Sequence, residues 1–597
     1  MEQNLISRIY RHDYEGHEIS TRAMKANPGS KALVTDPGGG IFDPHRSLCR
    51  WKDEFLSRRS ICLDEENRSF FEAVRNPNED EDIMDVLSGA YEVEYDRWAY
   101  KMEPLQRLCA GLKLDLFTST TLEREAPVAL VFDRDGSGRR PLRHGPLTAG
   151  GLYRVLCRQR FGVAMDPLAT EQEECDISDA LPIPCAVQAE QRIIYLTDPD
   201  ARSLSVLAAT ASLPQALPLL EFMAERLSSN PSFSIRVPPK GVAVFEMSFQ
   251  LPFLVFRSVP SDDESRGPLE GRSSCTNLSF LTFNSDFDGQ SGETESHFLC
   301  QSTFSCFVHG WDFARWTAYG LFDTYFDKTD CRECATQYIE DSKASNPYFA
   351  GDPLTYAQED LNRPITCPRH YFLRVLQTRI IRVGDEWGKV VSEVLEMVGI
   401  GEVFFWRTQF LEGSISLGRG SMFSLSKQVT RLTVSLQQAR CQVAFQPFRP
   451  DTTNTDMLLT AIDERQVKLT QAYQWNIRAR SLLIRLKRLL EKTVKSWQSF
   501  VSKDIEYLYQ EGSHANVGPG AIQTLHSIKR VVDELESLHD ELHHQVEVFE
   551  KGCMQEYEQH SRDARLTCGP VSYVPSWTGR KNGTGAAENS AGSAGNV

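Results

Sequence analysis

Apolar positions in the last third of the chain recur at steps of 3 and 4: Leu483, Leu486, Leu490, Val494, Trp497, Val501, Ile505 and Leu508. An α-helix turns once per about 3.6 residues, so this spacing lines one face of a helix. It predicts a long amphipathic helix that starts near Met457. The stretch from Gly512 to Gly520, which contains Pro519, interrupts the pattern. A second stripe then runs through Leu525, Ile528, Val532, Leu535, Leu542, Val546 and Phe549, with Glu534, Glu536, Asp540 and Glu541 on its polar side. Because the connection is short, the two stripes are expected to bury each other as an antiparallel pair.

Upstream the period changes. Between residues 232 and 257 apolar and polar residues alternate: Phe245, Met247, Phe249 and Leu251 fall on one side, Val244, Glu246, Ser248 and Gln250 on the other. A period of two predicts strands. Short β-branched or apolar runs at 128–132, 192–196, 278–283 and 304–308 predict further strands,. Helical spacing appears at 95–114, at Ser203–Ala211 behind the turn Asp198-Pro199-Asp200, and at Tyr371–Val398. The acidic run Asn78–Asp82 is placed to open a helix at Ile83, since carboxylates favour a helix N-terminus,. The aromatic segment Trp311–Phe326 reads as a helix or a helix–strand junction. Asp133 to Gly138 reads as a polar loop, Asp36 to Gly40 as a turn and Ser261 to Ser274 as an exposed loop.

These elements predict an α+β protein: a mixed α/β N-terminal and central region, then long C-terminal antiparallel helices, then a disordered tail. The expected regions are 1–150, a polar extension or small helical region; 151–450, a central α/β domain; 451–565, a long helical hairpin; and 566–597, a tail rich in Gly, Ser, Ala and Asn that cannot bury enough surface to order itself,.

Composition narrows the function classes. The net charge is −16, from 65 Lys and Arg against 81 Asp and Glu. That balance argues against a nucleic-acid partner and against adhesion to anionic lipid, both of which need basic patches. No run of about 20 apolar residues is present, so no direct membrane insertion is expected. The N-terminus lacks the apolar core of a secretory signal. Fifteen cysteines in an odd, unpatterned spacing then read as reduced thiols, which points to a cytoplasmic location,.

Few constellations suggest chemistry. Cys331-Arg-Glu-Cys334 and Cys367-Pro-Arg-His370 are two pairs at ligand-like spacing, and together they could make a four-ligand Zn²⁺ site,. The preferred reading is plainer: ordinary core and surface thiols in a chain with many cysteines. His539 and His543 lie four apart on one helix face, but Asp540 stands where a metalloprotease helix has Glu, so a solvated face is preferred,. Asp323, Asp327 and Asp330 could act as paired carboxylates or hold Mg²⁺, yet the aromatics between them favour a structural role,. No phosphate loop, nucleophile elbow, dinucleotide fingerprint or kinase set is present. No catalytic residue is assigned, and no resident cofactor is expected.

Several segments carry a resemblance. They are RIIYLTDPDARSLSVLAATAS (192–212), VFEMSFQLPFLVFR (244–257), WDFARWTAYGLFDTYFD (311–327), GDPLT (351–355), RPITCPRHYFLRVLQTRI (363–380), DEWGKVV (385–391) and the helix beginning SLLIRLKRLLEKTVKSW (481–497). Over roughly residues 180–560 the chain resembles a large fungal family with a CorA-like magnesium-transporter domain. The resemblance implies an α/β cytosolic domain followed by very long stalk-like helices. In CorA channels these lead into two membrane helices and a Gly-Met-Asn motif at the pore mouth. This chain has no Gly-Met-Asn and no apolar span after Phe549, so no pore residue carries over. The implied protein is a soluble, non-enzymatic relative acting as an interaction or oligomerisation module, with a protein partner or a second copy bound through the C-terminal helices. Mg²⁺ binding is what the resemblance allows. Two alternatives stand beside it: an accessory subunit or regulator of a membrane-embedded CorA-like divalent-cation transporter, and a metal-dependent enzyme using Cys331, Cys334, Cys367 and His370.

Overall fold

The backbone is organised around strand β3, Gln191–Thr197, all of whose residues are buried. Two strands precede it, β1 (Ala129–Arg134) and β2 (Leu142–Leu147). Five follow: β4 (Ser232–Arg236), β5 (Phe245–Pro260), β6 (Cys275–Asn277), β7 (Glu295–Gly310) and β8 (Trp316–Phe322). They form one eight-stranded sheet in the order β2-β1-β3-β8-β7-β5-β4, with β6 alongside β7. Strands β3 and β8 run parallel; every other pairing is antiparallel. The computed structural model describes, with short interruptions, residues 53–113, 126–161, 189–260, 275–324, 335–411, 455–508 and 519–567. The expected turn at 36–40, the loop at 261–274 and the tail after 567 lie outside the described residues. The mixed α/β class expected from the pattern is present.

One face of the sheet carries short helices: α1 (Phe70–Val74), α2 (Tyr95–Cys109), α3 (Ala149–Leu156), α4 (Ala201–Thr210) and α5 (Leu213–Leu227). Asp200 opens α4 with a reciprocal cap: its carboxylate accepts from the Ser203 amide at 2.9 Å, and Ser203 Oγ accepts from the Asp200 amide at 2.9 Å,. The apolar core on this side includes Val131, Ile194, Leu196, Phe307, Tyr319 and Leu321 from the sheet. Phe222 of α5 stacks on Phe307 with ring centroids 5.3 Å apart.

The other face is covered by α6, Pro368–Leu411. Phe372 meets Phe249 at 5.8 Å, Tyr371 meets Trp316 at 4.9 Å, and the Arg379 guanidinium sits 3.9 Å from the centre of the Phe322 ring. The alternation in β5 therefore has its predicted meaning. Odd-numbered residues from Phe245 to Val255 are buried, with Phe249 against Phe372 of α6, while Gln250 Nε2 on the opposite side donates to Phe222 O of α5 at 3.0 Å.

Two further helices of 49 residues follow: α7, Thr455–Lys503, and α8, Pro519–Thr567. Phe233 of β4 packs on Trp497 and Phe500 of α7, with ring centroids 5.5 and 5.8 Å away. Ser496 Oγ donates to Pro231 O, and Arg485 Nη1 donates to Thr276 Oγ1. Arg369, at the start of α6, donates to Tyr507 O just beyond α7, and Gly520 of α8 lies beside His370. The apolar stripes are covered within the single chain: Leu483, Leu486, Leu490, Trp497, Leu508, Leu525, Ile528, Leu535 and Leu542 are all buried. The chain divides into two units, Met1–His543 and His544–Val597; the sheet and everything described below belong to the first. The second begins inside α8, which stays helical to Thr567.

Three local expectations differ from the structure. Trp316–Phe322 is a strand, not a helix or junction; it pairs with β3 on one side and β7 on the other, so all seven residues are buried. A run of this length carries no period that separates strand from helix. Near 278 the strand is Cys275–Asn277, and Leu278 begins the turn that follows. Asp133 and Arg134, expected in a polar loop, end β1 and are buried. Residue 150, the expected boundary of the N-terminal region, falls within α3, and β1 pairs with β3, so the sheet draws on both sides of that line.

Gly310 marks a close approach at the end of β7. A Cβ there would lie 2.6 Å from Phe245 Cζ, 2.6 Å from Trp316 Cβ and 2.8 Å from Arg315 O. Gly310→Ala is expected to destabilise the fold by about 1–3 kcal/mol through overpacking. Equilibrium urea unfolding measures it; an unchanged midpoint would refute the expectation.

Candidate functional site

Beneath the sheet, between β3, β8 and the helix layer, lies a polar cavity of about 40 Å³. Its floor includes Glu66, Arg160, Arg192, Gln215, Thr317 and Tyr319, all buried. Its mouth is marked by Glu72, Cys157 and Arg158, all exposed. Alternation within strands brings these groups together: Arg192 and Ile194 in β3 face this side, as do Thr317 and Tyr319 in β8. Gln215 comes from the first turn of α5, Arg160 follows α3, and Glu66 precedes α1.

Two buried arginines dominate the electrostatics. Arg192 grips Asp133 with two bonds, Nε to Oδ1 at 2.7 Å and Nη2 to Oδ2 at 2.8 Å. Burial alone would raise the Asp133 carboxyl, but the Arg192 charge and the bonds from His144 and Arg192 hold it well below the usual carboxylate range,. Arg160 spends its donors on the Ala189, Glu190 and Trp316 carbonyls and on Thr317 Oγ1, at 2.7–2.9 Å. Burial, then the neighbouring Arg192 charge, bring Arg160 down to about 10, so it stays charged at neutral pH. Glu66 accepts from Trp311 Nε1 and from Ser212 Oγ, and lies 3.9 Å from Arg160 Nη1. Burial raises the Glu66 pKa against the pull of Arg160. Tyr319 O–H donates to Gln215 Oε1 at 2.8 Å, and burial pushes that phenol up as well.

A second polar cluster lies further along the same face. Arg236 of β4 is 2.7 Å from Glu221, 3.6 Å from Glu225 and 4.0 Å from Glu246. Burial pushes Glu246 up to about 7, the two neighbouring glutamates add to the shift, and Arg236 opposes it.

No family model matches this chain, no curated protein matches it, and no solved structure matches it. The site is read from its own geometry.

The residues proposed as metal ligands are placed only in part. Cys331 and Cys334 lie outside the described residues. Cys367 precedes α6 and its carbonyl accepts from the Tyr371 amide; His370 sits half-buried in the first turn, its pKa lowered by burial. Among the described residues, no three His, Cys, Asp or Glu side chains are grouped to hold a metal ion. His539 and His543 stack with ring centroids 6.3 Å apart, but His543 Nδ1 is engaged by Lys487 Nζ at 2.9 Å. Asp323 pairs with Arg226; Asp327 and Asp330 lie outside the described residues. His309 is buried, and burial with the Arg160 charge lowers it to about 3, so it is neutral.

Arg160, Arg192 and Glu66 were not singled out from the sequence. A faint signal existed: Arg192 opens a β-branched run whose strand is buried on both faces, and a charge there demands a buried partner,.

Proposed function

We propose that this chain is a CorA-like protein without a channel, which works in the cytoplasm by association through its long helices and has a second copy as its partner. A mixed α/β sheet followed by helices of 44, 49 and 49 residues supports the reading, because that is the order the resemblance implies. No helix among the described residues is long and apolar enough to cross a membrane. The apolar stripes are already covered, so association rests on the polar faces.

The observation that carries the reading is charge sorting. Exposed positions of α7 include Arg478, Arg480, Arg488, Lys492 and Lys495, of which Lys495 pairs with Glu491 and Lys492 donates to Asn230. The exposed side of α8 presents Asp533, Glu534, Glu536, Asp540 and Glu541, of which Asp533 pairs with Lys529 and Glu534 with Arg530 of the same helix, leaving an acidic excess. In a two-fold dimer, α7 of each copy meets α8 of the other, and each contact is made twice. Complementary faces set register and raise the association rate.

Size-exclusion chromatography with light scattering tests this on the full chain, with and without Mg²⁺. A dimer at low salt that dissociates at high salt is expected, because screened surface charges lose their attraction. The triple variant Arg478→Glu, Arg480→Glu, Arg488→Glu is expected to be monomeric with an unchanged circular dichroism spectrum. A monomer under every condition, or a dimer indifferent to the variant, overturns the reading.

A further inference from the structure

We propose that the cavity beneath the sheet is a binding site for a small oxyanion, of the phosphate or carboxylate class, with Arg192 as its principal ligand. The inference is independent of the association through α7 and α8.

Arg192 is the first observation. Its side chain is 9% exposed, and Asp133 occupies only Nε and Nη2. Nη1, with two hydrogens, has no acceptor among the described residues. It is also not one of the fully enclosed unpaired atoms, so it reaches the space that Arg192 lines. A charged donor in so dry a setting is costly when unmet, and such groups in native proteins are met by a ligand or ordered water. The guanidinium's free edge suits an oxyanion because its hydrogens lie in one plane and match paired oxygens.

Charge and size agree with this. Arg160 and Arg192 bring two positive charges to the cavity, and Asp133 returns one negative charge. Glu66 lies 3.9 Å from Arg160, and burial raises its pKa against that pull. The cavity's volume of about 40 Å³ is roughly three times the least space a water occupies, which is the scale of a single oxyanion group. Thr317 adds a neutral donor: its Oγ1 accepts from Arg160 at 2.7 Å, so its own hydrogen remains to be given.

The test uses the full chain, titrated with inorganic phosphate, with acetate and with chloride at equal ionic strength. Thermal unfolding and calorimetry are the readouts. A saturable rise in midpoint with phosphate or acetate, but not with chloride, is expected, and the anion that saturates at the lower concentration identifies the class. Arg192→Lys keeps the charge but loses the planar edge, and is expected to weaken binding about tenfold or more. Thr317→Val, which leaves both arginines in place, is expected to weaken it less; it serves if Arg192→Lys does not fold. Cys157 offers a check on the unmodified protein, because it is an exposed residue that lines the mouth. The effective anion should slow alkylation at Cys157 over the same concentration range. No saturable response to either oxyanion, or a wild-type response in the foldable variants, overturns the proposal.

Discussion

Arg160→Met is expected to lower the unfolding free energy by about 3–5 kcal/mol, the scale of losing one partner from a buried charged network. Arg160 joins elements far apart in the chain: its guanidinium binds the Ala189 and Glu190 carbonyls before β3, and the Trp316 carbonyl and Thr317 hydroxyl of β8. Those two strands are the one parallel pair in the sheet, with no hairpin between them to hold register,. A methionine can fill the volume but cannot meet the acceptors. Arg160→Lys should recover only part of the loss, because one ammonium cannot reach carbonyls from two strands at once. Urea unfolding followed by circular dichroism measures both variants. A cost for Arg160→Met below about 1 kcal/mol would mean that water replaces the guanidinium without penalty, and would remove the pinning role given to this residue.

Glu246→Gln is expected to stabilise the protein at pH 8 and to have little effect at pH 4.5. The carboxyl lies on β5 with its side chain 13% exposed, faced by Glu221 and Glu225 from α5 and by Arg236 from β4. Its pKa in the folded state is about 7, against an ordinary value of 4.5. A carboxyl raised on folding binds its proton more tightly in the native state. Its favourable contribution is complete below pH 4.5 and is lost as pH rises through 7. At pH 8 the folded protein holds the charge at a cost of about 3 kcal/mol, from 1.36 kcal/mol per pKa unit. Glutamine removes that charge, and the Arg236 contact it loses is the long one, at 4.0 Å; Glu221 at 2.7 Å remains. The expected gain at pH 8 is about 1–3 kcal/mol. Comparing variant and wild type at each pH cancels Glu66 and Asp323, whose carboxyls burial also raises. An equal difference at both pH values would show that Glu246 titrates normally.

The distribution of polar groups explains how these effects arise in a protein whose motifs point to no chemistry. The face of the sheet under α6 is mainly apolar and aromatic, while the face under α4 and α5 holds Arg192, Glu246, Gln250, Ser305, Thr317 and Arg226 contacts in one belt. Arg226 alone binds Thr303 O, Ser305 Oγ and Leu321 O, and so ties α5 to β7 and β8. Such a belt fixes how the helix layer sits on the sheet, because the acceptors that Arg226 and Gln250 meet lie in one place only,.

By itself the sequence determined the elements whose periodicity is strong and local. The 3/4 stripes of α7 and α8, the two-residue alternation of β5 and the turn at Asp198–Asp200 that opens α4 were legible because each depends on neighbours a few residues away. Two results needed the tertiary structure. Trp316–Phe322 is a strand because β3 and β7 flank it, and nothing within those seven residues says so. The cavity was hidden for the same reason: Glu66, Asp133, Arg160, Arg192 and Thr317 are scattered over some 250 positions; strand pairing brings Asp133, Arg192 and Thr317 together, and the segments before α1 and after α3 add Glu66 and Arg160. Local pattern reports on the face a residue turns; only the closed sheet decides which distant charges must answer one another.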